Sequence, residues 1–188
     1  MSTLSVNTIQ AETGSTVTVA SGHALDASNG LTTPAGHIIQ VVQSTTLTGF
    51  TTASTSWVRC TNLSASITPT STSSKILVLI NGWMRSQQYT RYVHLSILRS
   101  SDGGSTYTDI SGSTLQNGSN SADGILRIYD GGSSINEGNR SIQFLDSPNT
   151  TSALTYAPSI RHGTGNSAGA YFGQTNLVST MQLIEVAG

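Results

Sequence analysis

The most regular pattern of apolar and polar positions runs from Ser74 to Ser100. Ile76, Leu77, Val78, Leu79 and Ile80 form an unbroken apolar run that leads through Asn81 and Gly82 to Trp83 and Met84. A polar stretch from Arg85 to Arg91 follows. Then Val93, Leu95 and Ile97 alternate with Tyr92, His94 and Ser96. Successive side chains of a strand leave opposite faces, so this alternation predicts a half-buried strand. The unbroken run is apolar on both faces. An antiparallel sheet normally leaves one face to water, so this run calls for extra cover from another sheet or another subunit. The two segments together read as the central hairpin of a β-sandwich, with residues 85–91 at its tip.

The same reading predicts further short strands at Ile38–Gln43, Trp57–Cys60, Leu63–Ile67, Ser105–Ile110, Ile125–Tyr129, Ser141–Leu145, Thr155–Ile160, Ala170–Gly173 and Val178–Val186. Clusters of Gly, Ser, Asn and Asp separate them. At Ser101, Asp102, Gly103 and Gly104 the turn needs positive φ, which glycine supplies without strain. Short strands at this spacing point to a sandwich or barrel, and no amphipathic helical period of useful length is present. Pro158 lacks an N–H and predicts an edge position or a bulge. The closing segment, Met181 to Val186, is apolar on parts of both faces. The expected fold is therefore all-β: an antiparallel, jelly-roll-like β-sandwich head over residues 35–188, with a short extended N-terminal β segment over residues 1–34, and oligomeric. Ser2–Val6 is echoed at Ser15–Val19, and this leading segment has too few apolar residues for a core of its own. It is expected to pack against its own copies or another protein.

Composition narrows the function. Only 9% of residues are charged, against about 25% in average domains. Eight Lys and Arg against nine Asp and Glu give a net charge of −1, so no basic field exists to attract nucleic acid or anionic lipid. Cys60 is the only cysteine; within one chain it can form neither a disulfide nor a thiolate zinc site, and it reads as a small buried residue. The N-terminus has neither positive residues nor a long apolar core, so it does not read as a signal peptide. No stretch approaches the roughly twenty apolar residues of a membrane-spanning helix.

Catalytic patterns are weak. Gly165-Asn166-Ser167-Ala168-Gly169 matches G-x-S-x-G in form, but that motif needs an acid and then a histidine later in the chain. No histidine follows Ser167, and Glu185 is the only later acid. The carboxylates are scattered, four of the nine beside glycine, as in Asp123-Gly124 and Asp130-Gly131, which is turn chemistry. His23, His37, His94 and His162 lie far apart, with no metal-ligand spacing; on a threefold axis His23 or His37 would become three, but a hydrogen-bonded or exposed imidazole is the simpler reading. No cofactor or metal site is expected, nor an enzyme. Binding chemistry remains. Arg85, Gln88, Tyr89 and Arg91 place an aromatic ring between two guanidinium groups with an amide beside them, a set suited to stacking on a sugar ring and bonding its hydroxyls. The Ser- and Asn-rich stretch 112–123 is a second candidate, because binding residues concentrate on loops held by a rigid scaffold.

Leu4 to Gln10, followed by Gly14 to Val19, resemble the start of many short tail-fibre-like and virion structural proteins of marine and cyanobacterial phages. The likeness continues through Ile38–Gln43, Ile67–Val78, Phe144–Pro148, Thr151–Tyr156 and Met181–Val186, and so spans nearly the whole chain. The resemblance implies a homotrimeric virion appendage, with residues 1–34 fixed to other virion proteins and the head facing outward, often toward a host surface carbohydrate. The departure is length: little shaft is left between the two parts. Two alternatives stand beside this reading, a capsid or tail decoration protein that cements without binding a receptor, and a polysaccharide depolymerase resting only on the scattered carboxylates.

Overall fold

The structure, a computed structural model, describes residues 18, 20–22, 34–86, 92–111, 124–129, 136–163 and 169–188. The chain divides into two compact units, Met1–Thr32 and Thr33–Gly188. Among the described residues the strands all belong to the second: β1 (Ile38–Thr46), β2 (Phe50–Thr52), β3 (Val58–Arg59), β4 (Ala65–Ile67), β5 (Lys75–Ser86), β6 (Tyr92–Ser100), β7 (Thr108–Asp109), β8 (Leu126–Tyr129), β9 (Glu137–Asp146), β10 (Leu154–His162), β11 (Ala170–Phe172) and β12 (Ser179–Val186). No helix occurs among the described residues.

The strands make two antiparallel sheets of six. Four pairs of short strands are each one strand position with an interruption, as the registers show. β1 and β2 run consecutively along β12 and β11, while β3 and β4 both flank β10, and β7 and β8 both flank β6. Counted this way the order is simple. The first position pairs with the last (β1/β2 with β12/β11), the second with the seventh (β3/β4 with β10), the third with the sixth (β5 with β9), and the two middle ones with each other (β6 with β7/β8). Pairs of β12 with β5 and of β10 with β6 complete the sheets. That nested pairing, folded into two layers, is a jelly roll.

The observed topology departs from the sequence pattern at two places. β5 and β6 are not a hairpin, since each is the central strand of a different sheet. Both are flanked by neighbours on both edges, and each turns an apolar face to the core. Pro158 lies in β10, a central strand, rather than at an edge. Its carbonyl accepts from Cys60 N–H at 2.8 Å. In an antiparallel pair a residue's N–H and C=O point to the same neighbour, so the missing donor faces the interruption between β3 and β4 and no ladder bond is lost. β2 is a strand that the pattern did not single out.

Burial on β5 alternates strictly. Ile76, Val78, Ile80 and Met84 point inward, joined by Met181 and Leu183 of β12, and meet Val93, Leu95 and Ile97 of β6 and Leu154, Tyr156 and Ile160 of β10. Each such side chain contributes roughly 1.5–3 kcal/mol when taken from water. Gly82 interrupts the row because the Phe172 ring occupies its place; a Cβ there would lie 2.7 Å from the ring's Cζ. Cys60 is fully buried as expected, and desolvation pushes its thiol pKa well up. Gly103 and Gly104 take positive φ, again as expected.

Polar groups tie the layers together. Asp146 of β9 accepts two donors from across the sandwich gap: Arg99 of β6 donates through Nη1 at 2.9 and 2.7 Å, and the buried Tyr156 hydroxyl of β10 donates at 2.8 Å. Glu185 of β12 points inward with no exposed surface. Burial would raise its pKa, but hydrogen bonds from Gln40 Nε2 (2.5 Å) and from the Thr70 N–H and hydroxyl (2.7 Å each) outweigh that and hold it below the ordinary 4.5. These bonds pin the 68–74 connection to the edge of the β1–β12 pair.

The second faces of β5 and β6 invert the expectation. The polar back of β6 is covered: His94, Ser96 and Ser100 are buried, with the Ser96 hydroxyl donating to Asp109 and sharing a 2.8 Å bond with Ser111. The apolar back of β5, with Leu77, Leu79 and Trp83, is only half-buried.

Two outcomes are expected. Gly82→Val drives a side chain into the Phe172 ring and lowers the free energy of unfolding by about 1–3 kcal/mol, read from the denaturant midpoint. A carboxylate whose pKa is depressed by folding stabilises fully above its unfolded value and loses that contribution as pH falls through the folded one. The stability gap between the native chain and Glu185→Gln should therefore be widest near neutral pH and shrink once pH drops below about 4.5, as followed by denaturation at each pH.

Candidate functional site

Of the predicted glycan-binding residues, Arg85 is described, and it belongs to β5 rather than to a tip beyond it. Gln88, Tyr89 and Arg91 lie outside the described residues, as do His23, Ser167 and the stretch 112–123. What surrounds Arg85 is set by strand register. On the outer face of its sheet, Thr51, Tyr171, Arg85 and Glu137 form one row across β2, β11, β5 and β9. Trp83, two residues earlier on the same face, begins the next row, and Gly173 N–H donates to the Trp83 carbonyl at 2.7 Å.

Beyond Trp83 the ladder between the paired strands is interrupted. Leu47–Gly49 on one side faces the longer Gly173–Val178 on the other, and the excess bulges out as a small protrusion. It is closed by Leu177 N–H to Gln174 O (3.0 Å) and Asn176 N–H to Leu47 O (3.1 Å), with Gly173 and Asn176 at φ of 74° and 68°. Asn62 Nδ2 donates to Thr48 O at 2.6 Å and steadies the shorter side. Gly49 and Gly173 pack backbone to backbone, where a Cβ on either would lie 3.0 Å from a carbonyl oxygen. The result is a pocket of about 290 Å³ whose lining includes Trp83, Arg85, Tyr171, Thr51 and Gln174.

The chemistry is mixed in a useful way. Trp83 and Tyr171, on adjacent strands, offer half-buried aromatic surface. The Arg85 guanidinium lies 5.9 Å from the Tyr171 ring centroid, and its Nε lies 3.5 Å from Glu137 Oε2. Their side chains are 34% and 47% exposed, and an ion pair so open to water contributes only about 0.2–1 kcal/mol. Thr51, Gln174 and Thr175 supply exposed hydroxyl and amide groups at the rim. Aromatic faces ringed by a few polar groups suit a small, ring-shaped, hydroxylated ligand. The sequence reading found Arg85 and missed Trp83 and Tyr171. The signal was present for Trp83, two positions before Arg85 on one strand face; Tyr171 is joined to them only by register.

Other candidates do not build a site. Asp102 accepts from Ser100, Ser105 and Thr106 in the turn after β6, and these bonds, first that of the Ser100 hydroxyl, hold its pKa far below the ordinary range. On the outer face of the second sheet, Arg161 packs over Trp57, Arg127 packs over Tyr92, and Tyr92 stacks on Tyr129 at 4.6 Å. These groups cover one another, and His94 and Arg161 among them are buried. No group of three metal-ligating side chains comes together among the described residues.

Solved structures that share similarity with the chain include two of the same virus. One is a chain in the structure of infectious bursal disease virus Gx strain, at 12% identity and a TM-score of 0.45, covering 88% of this chain and 36% of that one. The other is a chain in the structure of infectious bursal disease virus Gt strain, at 10% identity and a TM-score of 0.37, covering 89% and 42%. This chain thus spans well under half the length of either. No protein-family model matches the chain, and no curated protein matches it.

The pocket wall depends on the left-handed backbone at Gly173. Gly173→Ala should lower stability by about 1–2 kcal/mol, seen as a lower thermal midpoint.

Proposed function

We propose that this protein is a structural component of a phage virion, a short tail-fibre or adhesin-like homotrimer whose sandwich head binds a host cell-surface glycan. In this reading residues 1–34 attach it to other virion proteins, and it works without a cofactor and without catalysis. The observation that carries the reading is where the pocket sits. The chain enters the sandwich at Gly36 and His37, bonded to Ala187, beside the first residues of β5. Trp83 and Arg85 lie at the far end of the same strand, about 30 Å away at the usual strand rise. A head held at its point of chain entry would present that pocket outward. The resemblance of the sequence to phage virion proteins supports the same picture.

Association is supported by the outer face of the β5 sheet. Val41, Ile184, Leu77 and Leu145 line up across all four strand positions; Val41 is 55% and Leu145 49% exposed. Beside them a groove of about 370 Å³ is lined by Leu79, Asn81, Gln143, Thr180 and Gln182. A face of this kind is covered most simply by symmetric copies. The same apolar row favours the cementing alternative, in which a neighbouring virion protein covers it and no receptor is bound.

Binding of the purified full chain to host cells separates the two. The proposal expects a native mass of three chains and saturable cell binding, with Tyr171→Ala and Trp83→Ala weakening that binding about tenfold or more, in line with a lost aromatic stacking contact. Saturable trimers that ignore host cells would leave the cementing role, and a single-chain native mass would remove the trimer.

A further inference from the structure

We infer that the ligand of the Trp83–Tyr171–Arg85 pocket is a sugar ring carrying a carboxylate, such as a uronic or sialic acid, with Arg85 as its anchor and Glu137 as the group the sugar displaces. This rests on the glycan-binding reading and sharpens it. Among the described residues Arg85 is the only cationic side chain lining the pocket. Its Nε is buried yet makes no hydrogen bond, with Glu137 at 3.5 Å as its nearest carboxylate. A guanidinium fork is satisfied best by two parallel bonds to one planar carboxylate, and the present pair does not make them. Glu137 belongs to β9, at the edge of the sheet, and its side chain is nearly half exposed, so giving up Arg85 returns it to water at little cost. The guanidinium is also near the Tyr171 ring, 5.9 Å from its centroid. An anion on Arg85 would thus sit where a ring fused to it could lie against aromatic surface.

The single positive charge, with a carboxylate beside it, favours a monoanion over a phosphate dianion. Planarity of the fork favours carboxylate over the tetrahedral sulfate ester. The aromatic faces and the hydroxyl and amide groups of Thr51, Gln174 and Thr175 select a polyhydroxylated ring rather than a simple organic acid.

Titration calorimetry on the full-length protein tests this with methyl glucuronide, methyl N-acetylneuraminide, methyl glucoside and glucose 6-sulfate. At least one carboxylated sugar should bind roughly tenfold or more tighter than methyl glucoside, weakening as salt is raised. Arg85→Gln should erase that preference while the thermal midpoint shows the fold intact. Glu137→Gln, which leaves Arg85 without its competitor, should tighten the carboxylated sugar several-fold and leave the neutral one unchanged. Equal binding of neutral and carboxylated sugars, tighter binding of the sulfate, or loss of affinity in Glu137→Gln would overturn the carboxylate assignment while leaving a glycan site in place. Failure of every sugar to bind would overturn both.

Discussion

The inward row of β5 is the constraint on which the rest of the molecule depends. Ile76, Val78, Ile80 and Met84 are fully or almost fully buried, and a sheet with such a face is stable only under a second layer. The second layer is built around β6 and β10, and neither is adjacent to β5 in its own sheet. Each half of the chain therefore has to cross the gap repeatedly, and the polar bridge from Asp146 to Arg99 and Tyr156 is placed where two layers must be kept in register as well as in contact. Nonpolar packing alone is tolerant of sliding; a buried carboxylate with two donors from the opposite sheet is not.

The same layering decides where function can sit. The inner faces are filled, and among the described residues the back of β6 is closed by Asp109 of β7, Ser111 and the Trp57–Arg161 contact. What is left open is the back of the β5 sheet. Its two ends differ. The end near Val41 and Leu145 is apolar and flat, which suits another protein, while the end near Trp83 and Arg85 is hollowed by the mismatch between Leu47–Gly49 and Gly173–Val178. One sheet face thus carries both an apolar patch and a pocket, separated by a row in which Leu79 is flanked by Gln182, Gln43 and Gln143, with Gln182 and Gln43 joined at 2.6 Å.

Much of this was legible in the sequence, for a definable reason. Strand positions depend on local alternation and turn chemistry, so the segments at Ile38, Ile76, Tyr92, Ser141, Thr155 and Val178 all became strands. β2 escaped because Phe50, Thr51 and Thr52 are too few to show a period. Partnership is another matter. Residues 75–100 read as a hairpin because two apolar strands separated by a polar stretch look the same whether the stretch turns within a sheet or crosses between sheets. Pro158 misled for a related reason: its missing donor is harmless in a central strand whenever the neighbour is broken at that point, and a break on another strand leaves no mark beside the proline. Site residues divide along the same line. Trp83 and Arg85 share a strand face and were within reach of pattern reading, whereas Tyr171 joins them through a register between residues far apart in the chain.

The nested pairing has one more consequence, for biosynthesis. β12 lies between β1 and β5, so the strand that closes the first sheet is the last of the twelve to leave the ribosome. Until Ser179–Val186 emerges, β1 has no neighbour to pair with along its length, and β5 shows one bare edge. Folding of the head is thus obliged to wait for nearly the whole chain, and the nascent polypeptide carries open strand edges that invite mispairing. A low charge content, 9% of residues, gives little repulsion to oppose that mispairing between nascent copies.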